Sequence, residues 1–256
     1  MSRMLSRRVE TFARRTATAV RLEELYRLGR GVGAERLHLA QLVHRELAIR
    51  NAQLCKELLL LPFGLPETRG VQDVVSWFSS YVDWLAEFPP PATENEDEKF
   101  RDLLNKILKD NSDVTRTLGT AVHEVRAALG EERYEEVRSE ITLILDRFFI
   151  KRIGLRFLIQ HHIASFEQSP GVAGIIHSNV AMGPILRAAA AEARAACERE
   201  WGVAPRIVVA GDGDERHNPA AYALMGNIDL SHNRSFTYVP IHLHIVCYEL
   251  LLNSCE

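Results

Sequence analysis

The chain has 256 residues, 46% of them hydrophobic and 25% charged, which is enough apolar material for one large core or two ordinary ones and excludes a disordered polymer. A formal net charge of −3 gives no global positive field for nucleic acid. The apolar run ELLLLPFGL, residues 57–65, is about half the roughly 18 residues that a membrane span needs, so no span is expected.

The first 21 residues carry six arginines against one glutamate. This is the composition of a mitochondrial import presequence, and equally of a solvated basic terminus; the segment 1–17 is set apart on that ground. From Arg21 onward the chain reads as helix after helix. RLEELYRLGRG repeats apolar residues at Leu22, Leu25 and Leu28 and stops at glycine. GAERLHLAQLVHRELAIRNAQLCKELLLLP predicts some seven turns ending at Pro62. GVQDVVSWFSSYVDWLAEFPPP predicts a helix with a hard stop at the triple proline. TENEDEKFRDLLNKILKDN opens with capping residues and becomes amphipathic, SDVTRTLGTAVHEVRAALG does the same, and the longest helical pattern runs from Glu131 to about Glu167. Long helices with short turns predict an antiparallel bundle over 18–168.

The pattern changes after Pro170. GVAGIIHSNV is short, β-branched and punctuated by glycine, MGPILRAAAAEARAACEREWG reads as a helix, and APRIVVAGD is again strand-like. A separate layer mixing strands and helices is expected over 169–256, with a polar loop from Gly211 to Ser235 and a final helix in VPIHLHIVCYELLLN. The expected fold class is therefore α+β, a bundle followed by a smaller α/β unit.

Several residues carry candidate chemistry. GDGDE, residues 211–215, lacks the spaced acids of a calcium loop and reads as a solvated turn. His161 and His162 are adjacent, and His242 and His244 point to nearly opposite sides of a helix, so zinc is not expected. The four cysteines Cys55, Cys197, Cys247 and Cys255 show no CxxC spacing and read as reduced, packed thiols. Arg152 and Arg156 lie one turn apart on an apolar face; two like charges there need either acidic partners, as a structural salt bridge, or a small anion between them. Glu249 and Asn253 are also one turn apart. This is the E-x-x-x-N spacing of the N box in the ATPases that include gyrases and histidine kinases: a carboxylate can orient or deprotonate a nucleophile, and an amide oxygen can bind the Mg²⁺ that bridges ATP phosphates.

Four stretches carry a wider resemblance: LDRFFIKRIGLRFLIQHHI (145–163), HHIASFEQSPGVAGII (161–176), EREWGVAPRIVV (198–209) and YVPIHLHIVCYELLLN (238–253). In this order they resemble the mitochondrial protein kinases that inactivate the pyruvate and branched-chain 2-oxoacid dehydrogenase complexes, and the likeness covers about residues 9–256. The resemblance implies a helical regulatory and docking domain, then an ATP-binding sandwich of the histidine-kinase-like type, in the mitochondrial matrix. It implies a protein-serine/threonine kinase with ATP and Mg²⁺ as cofactors. Glu249 would be general base and part of the cofactor site, Asn253 the Mg²⁺ ligand, and Arg152 and Arg156 would line a regulatory anion pocket. Implied partners are the lipoyl-bearing acyltransferase core, the dehydrogenase component and a second copy of the chain.

There are departures. Leu252, Ser254 and Glu256 stand where the family has Lys, Ala and Arg, and Asn111 replaces a frequent histidine. The sequence stops before the family's D-x-G-x-G segment and glycine-rich lid, so this chain by itself is expected to be inactive. The alternative reading is a docking or dimerisation module without ATP chemistry.

Overall fold

The computed structural model describes residues 5–110, 112–207, 209 and 236–255. The loop expected from Gly211 to Ser235, GDGDE within it, Asn111 and Glu256 lie outside the described residues. The chain divides into two compact units, Met1–Gln168 and Ser169–Glu256. Among the described residues no helix is long and apolar enough to cross a membrane.

The first unit is helical. In chain order it contains α1 (Arg7–Ala13), α2 (Leu22–Gly29), α3 (Ala34–Leu59), a 3-10 turn (Leu65–Glu67), α4 (Arg69–Glu87), α5 (Glu94–Asp110), α6 (Val114–Leu129) and α7 (Glu131–Ala164). Helix α3 is its centre and packs against α1, α2, α4, α5 and α7. Its apolar residues Leu39, Val43, Leu47, Leu54 and Leu58 are buried, as the helical repeat in the sequence requires. Phe78 of α4 meets Tyr81 and Phe148 edge-on at centroid distances of 5.7 and 6.1 Å, and these rings fill the space between α4 and α7.

Local chemistry sets the boundaries. Thr68 caps α4 by accepting from Val71 N at 3.3 Å. At α5, Glu96 accepts from Ala92 N and Thr93 N while Thr93 Oγ1 accepts from Glu96 N, a reciprocal capping box. Between α6 and α7 stands the single residue Gly130 at φ 79°, a left-handed conformation that glycine adopts without steric cost.

The basic start is not all outside the fold. Residues 7–13 form α1, capped by Ser6 and carrying a fully buried Val9, and Arg8 reaches Asp83 at 3.3 Å and Glu87 at 3.1 Å on α4. Two turns give too little periodicity to reveal such a helix in the sequence. The segment after it is tied to α3 through the buried carboxylate of Glu46, which accepts from Thr18 N at 2.9 Å and pairs with Arg45 and Arg50.

Helix α7 brings further polar groups inside. His161 Nε2 lies 2.9 Å from the Leu25 carbonyl and its ring stacks on Phe157. Burial pushes its pKa down to about 4, against a smaller opposing effect of that hydrogen bond, so the ring is neutral and donates to Leu25. His162 Nε2 stands 3.0 Å from Asp97 Oδ1, an ion-pair distance without hydrogen-bond alignment, and Arg36 Nε donates to the other Asp97 oxygen at 3.0 Å.

In the second unit, β1 (Val172–Ala173), β2 (Ile176–Val180) and β3 (Phe236–Tyr238) form an antiparallel sheet in the order β1-β2-β3, with α8 (Met182–Trp201) and α9 (Pro240–Asn253). Among the described residues the protein is thus α+β, mostly helical with one small antiparallel sheet. Two details differ from the sequence reading. The described residues of APRIVVAGD, 204–207 and 209, lie in no strand; Pro205 has no N–H to give a ladder. Strand β3 had too few residues to show a pattern.

Two outcomes follow from this packing. A Cβ at Gly70, where α4 crosses α6, would stand 2.5 Å from the Thr117 carbonyl oxygen. Gly70→Ala is therefore expected to lower unfolding free energy by about 1–3 kcal/mol with an unchanged denaturant slope in urea titration. The second concerns His161, whose folded pKa lies below its ordinary value. Between pH 6.5 and 4 the unfolded chain takes up a proton that the folded chain refuses, so stability falls as pH falls. The advantage of wild type over His161→Gln should shrink by about 3 kcal/mol from pH 7 to pH 4; a constant gap would show that the residue titrates alike in both states.

Candidate functional site

Glu249 and Asn253 belong to α9, and the elements before it fix where that helix starts. Tyr238 of β3 pairs with His177 and Phe236 with Val180 of β2. Val239 follows, 1% exposed, and Pro240 opens the helix at its first position, where a missing N–H costs nothing. One side of α9 packs on α8. Helix α8 buries Ala189, Ala190, Ala193 and Cys197, and His244 Nε2 meets Glu192 Oε2 at 2.8 Å.

Facing away from that contact, Ile241 and Ile245 are exposed, and at the same four-residue interval so are Glu249 and Asn253. The sequence-derived pair thus shares one open face of one helix, a turn apart. An exposed carboxylate can take a proton from a hydroxyl brought to it, and an exposed amide oxygen is a hard donor of the kind Mg²⁺ selects, with waters and phosphate filling the rest of its octahedron. The pair therefore fits that ion in donor type. Among the described residues, no cluster of three or more His, Cys, Asp or Glu side chains is placed to hold a metal by itself.

The other predicted pair lies in the first unit. Arg152 of α7 is 9% exposed. Its pKa is drawn down to about 10, first by burial and then by the charge of Arg156, with Tyr81 opposing. Burial lowers Arg156 too, and its Nη1 is enclosed with no hydrogen-bond partner among the described residues. Tyr81 of α4 joins them. Its hydroxyl is likewise enclosed and unbonded among the described residues, and its pKa is pushed up to about 12 by burial, with a further rise from Asp110 and an offset from Arg152. Two neighbouring guanidinium groups of like charge, with a phenolic O–H coupled to the more buried of them, favour a small anion electrostatically. The spacing of the arginines was legible in sequence; Tyr81, 71 positions before Arg152, carried no signal.

Comparison with known proteins finds relatives of the chain among dehydrogenase kinases. It is 29% identical to the mitochondrial pyruvate dehydrogenase (acetyl-transferring) kinase of Arabidopsis thaliana over 84% of this chain and 53% of that protein. It is 28% identical to the Drosophila melanogaster protein of the same name over 83% and 50%, and 26% identical to human isozyme 4 over 98% and 59%. Residues 19–177 match the family model described as mitochondrial branched-chain alpha-ketoacid dehydrogenase kinase, and the chain belongs to that family. It spans about half the length of the curated relatives it matches. The matched residues include Tyr81, Arg152 and Arg156 and stop before α9.

The two desolvated arginines allow a stability test. Arg156→Met keeps the apolar stem and removes a partly buried charge that repels Arg152. Because replacing buried charge by apolar volume is often neutral or stabilising by about 1–4 kcal/mol, thermal unfolding in buffer free of small carboxylates should show no loss of stability. A marked drop in melting temperature would mean that Arg156 is paired within the folded protein.

Proposed function

We propose that the protein is, or is part of, a mitochondrial protein-serine/threonine kinase that phosphorylates a component of a 2-oxoacid dehydrogenase complex, pyruvate or branched-chain. The observation that carries the proposal is the placement of Glu249 and Asn253 on one exposed face of α9 in a chain of this family. In this reading residues 18–168 are a regulatory and docking domain. Residues 169–256 are part of an ATP-binding sandwich of the histidine-kinase-like type, through its N box. The relatives' names support a mitochondrial location, and we extend it to the matrix. The partners are then the dehydrogenase component, the lipoyl-bearing acyltransferase core and a second copy of the chain. Arg152 and Arg156, with Tyr81 beside Arg152, take a small carboxylate regulator, whose charge offsets that of the two guanidinium groups.

Phosphoryl transfer requires mainly positioning and offset of charge. Glu249 accepts a hydrogen bond from the substrate hydroxyl, aims its oxygen and takes its proton as the bond to phosphorus forms. Asn253 offers its amide oxygen to Mg²⁺. When bound, that ion supplies charge neutralisation for the ATP phosphates. The exposed Ile241 and Ile245 continue the same face as apolar surface.

The test uses a preparation that phosphorylates a purified dehydrogenase component. Glu249→Gln keeps size and removes the proton acceptor, so turnover should fall about 10²- to 10⁴-fold with a much smaller change in nucleotide affinity. Asn253→Ala should instead weaken Mg-ATP binding itself, read by calorimetry. A Glu249→Gln protein with wild-type turnover would remove this residue from the catalytic role.

A further inference from the structure

Where α1, α3 and the end of α4 meet, the first unit has an open cleft of about 560 Å³, within the roughly 300–1,000 Å³ of sites that take small molecules. Its apolar lining comes from Phe12, Ala48, Ala86, Phe88, Pro89 and Pro90. These walls are fixed from behind. His44 Nε2 lies 2.9 Å from the Leu85 carbonyl oxygen and 2.8 Å from that of Phe88; carbonyls only accept, so this nitrogen carries the proton and donates to both. The rings of His44 and Phe88 each stand 5.6 Å from that of Phe100, and Gln41 Nε2 donates to the Pro91 carbonyl at 2.8 Å. The end of α4 and the proline run after it are thereby held to α3.

Two arginines line the cleft, and they differ in what they hold. Arg45 is engaged, its Nε 3.4 Å from Glu46 Oε1 and its Nη2 donating to Thr18 Oγ1 at 3.3 Å. Arg15 is not: among the described residues its guanidinium meets no carboxylate or carbonyl, only the ring of Phe12, 4.7 Å from the centroid. Its backbone is pinned on both sides, the N–H donating to the Phe12 carbonyl at 3.0 Å and the carbonyl accepting from Gln53 Nε2 at 2.8 Å. A guanidinium held over a ring keeps its N–H edge available, and that edge is the fork that fits a carboxylate. The acid among the lining residues, Glu87, is taken by Arg8 at 3.1 Å, yet it would repel a second negative charge brought in beside the first.

We propose that this cleft binds a small aromatic monocarboxylate, its carboxylate bidentate on Arg15 and its ring against Phe12, Phe88 and the prolines. Flat walls of aromatic ring and pyrrolidine favour an aromatic body over a branched aliphatic one. A single unengaged guanidinium, with Glu87 close by, favours one charge over two. Arg152, Arg156 and Tyr81 do not line the cleft, so the site stands whether or not those residues take a regulator. A ligand here touches α1, α3 and the end of α4 at once; elements that have come apart cannot offer that surface, so occupancy stabilises the docking of α1 on its neighbours.

The experiment titrates the whole 256-residue chain with 2-naphthoate by calorimetry. One-to-one binding tighter than about 1 mM is expected, with the uncharged analogue 2-naphthalenemethanol at least about tenfold weaker. Arg15→Gln should weaken 2-naphthoate about 10- to 100-fold and Phe12→Leu about fivefold, whereas Arg156→Met should leave the affinity within about a factor of two. Saturating 2-naphthoate should also slow tryptic cleavage after Arg15 in the wild-type chain. Equal affinity of the wild-type and Arg15→Gln proteins, or of acid and alcohol, would overturn the proposal. So would binding weaker than about 1 mM, or loss of binding in Arg156→Met with none in Arg15→Gln, which would put the ligand on α7.

Discussion

The polar groups that α7 carries into the bundle govern what can pack around it. Within four turns this helix buries Arg152, His161 and His162 and partly buries Arg156, and each needs a compensating group because an unsatisfied buried polar atom costs about 1–3 kcal/mol. His161 is satisfied on one nitrogen by a carbonyl of α2, His162 faces Asp97 of α5, and Arg152 is electrostatically coupled to Tyr81 of α4. Three neighbouring helices are thereby held to α7 at specific heights. Apolar packing alone would tolerate a helix sliding by a turn; these polar meetings would not, because a slip would strand several of them together.

The same reasoning extends to helix α3. Glu46 is fully buried on α3 yet collects the Thr18 amide and the Arg45 and Arg50 guanidinium groups. A lone carboxylate there would be costly, so the segment that leads from α1 to α2 is held down as part of the solution to its charge. Asp97 repeats the arrangement with Arg36, whose guanidinium also lies 4.6 Å from the Phe166 ring centroid, beside that of Arg101 at 4.5 Å. Charge inside this fold therefore acts chiefly as a positioning device, with the aromatic and aliphatic contacts providing most of the burial.

What could be read in the sequence follows from the range of each interaction. Helices α2 to α8 repeat apolar residues every three to four positions, and their ends carry Thr68, Thr93 and Gly130, whose effects are local; such elements declare themselves within a short window. Helix α1 and strand β3 are too short to do so. The candidate pairs Arg152 with Arg156 and Glu249 with Asn253 were legible because both partners sit on one helix at i and i+4. Tyr81 and the tie of His162 to Asp97 were not, since tertiary packing alone brings together residues that sequence separates by tens of positions. APRIVVAGD suggested a strand by its β-branched composition, but pairing makes a strand, and no described residue of that stretch pairs.

Helix α9 shows how packing on one face determines chemistry on the other. Its mean composition is strongly apolar, yet it has no fully buried residue, so its place is set by contact with α8 and by the β3–Pro240 corner rather than by enclosure. Alanines on α8 bring the two axes close and leave little freedom to roll. Rolling would carry Glu249 and Asn253 off the open face together, since they share one row with Ile241 and Ile245. The direction in which the carboxylate and amide point is thus decided by side chains that touch neither of them: the small buried residues of α8 and the His244–Glu192 pair.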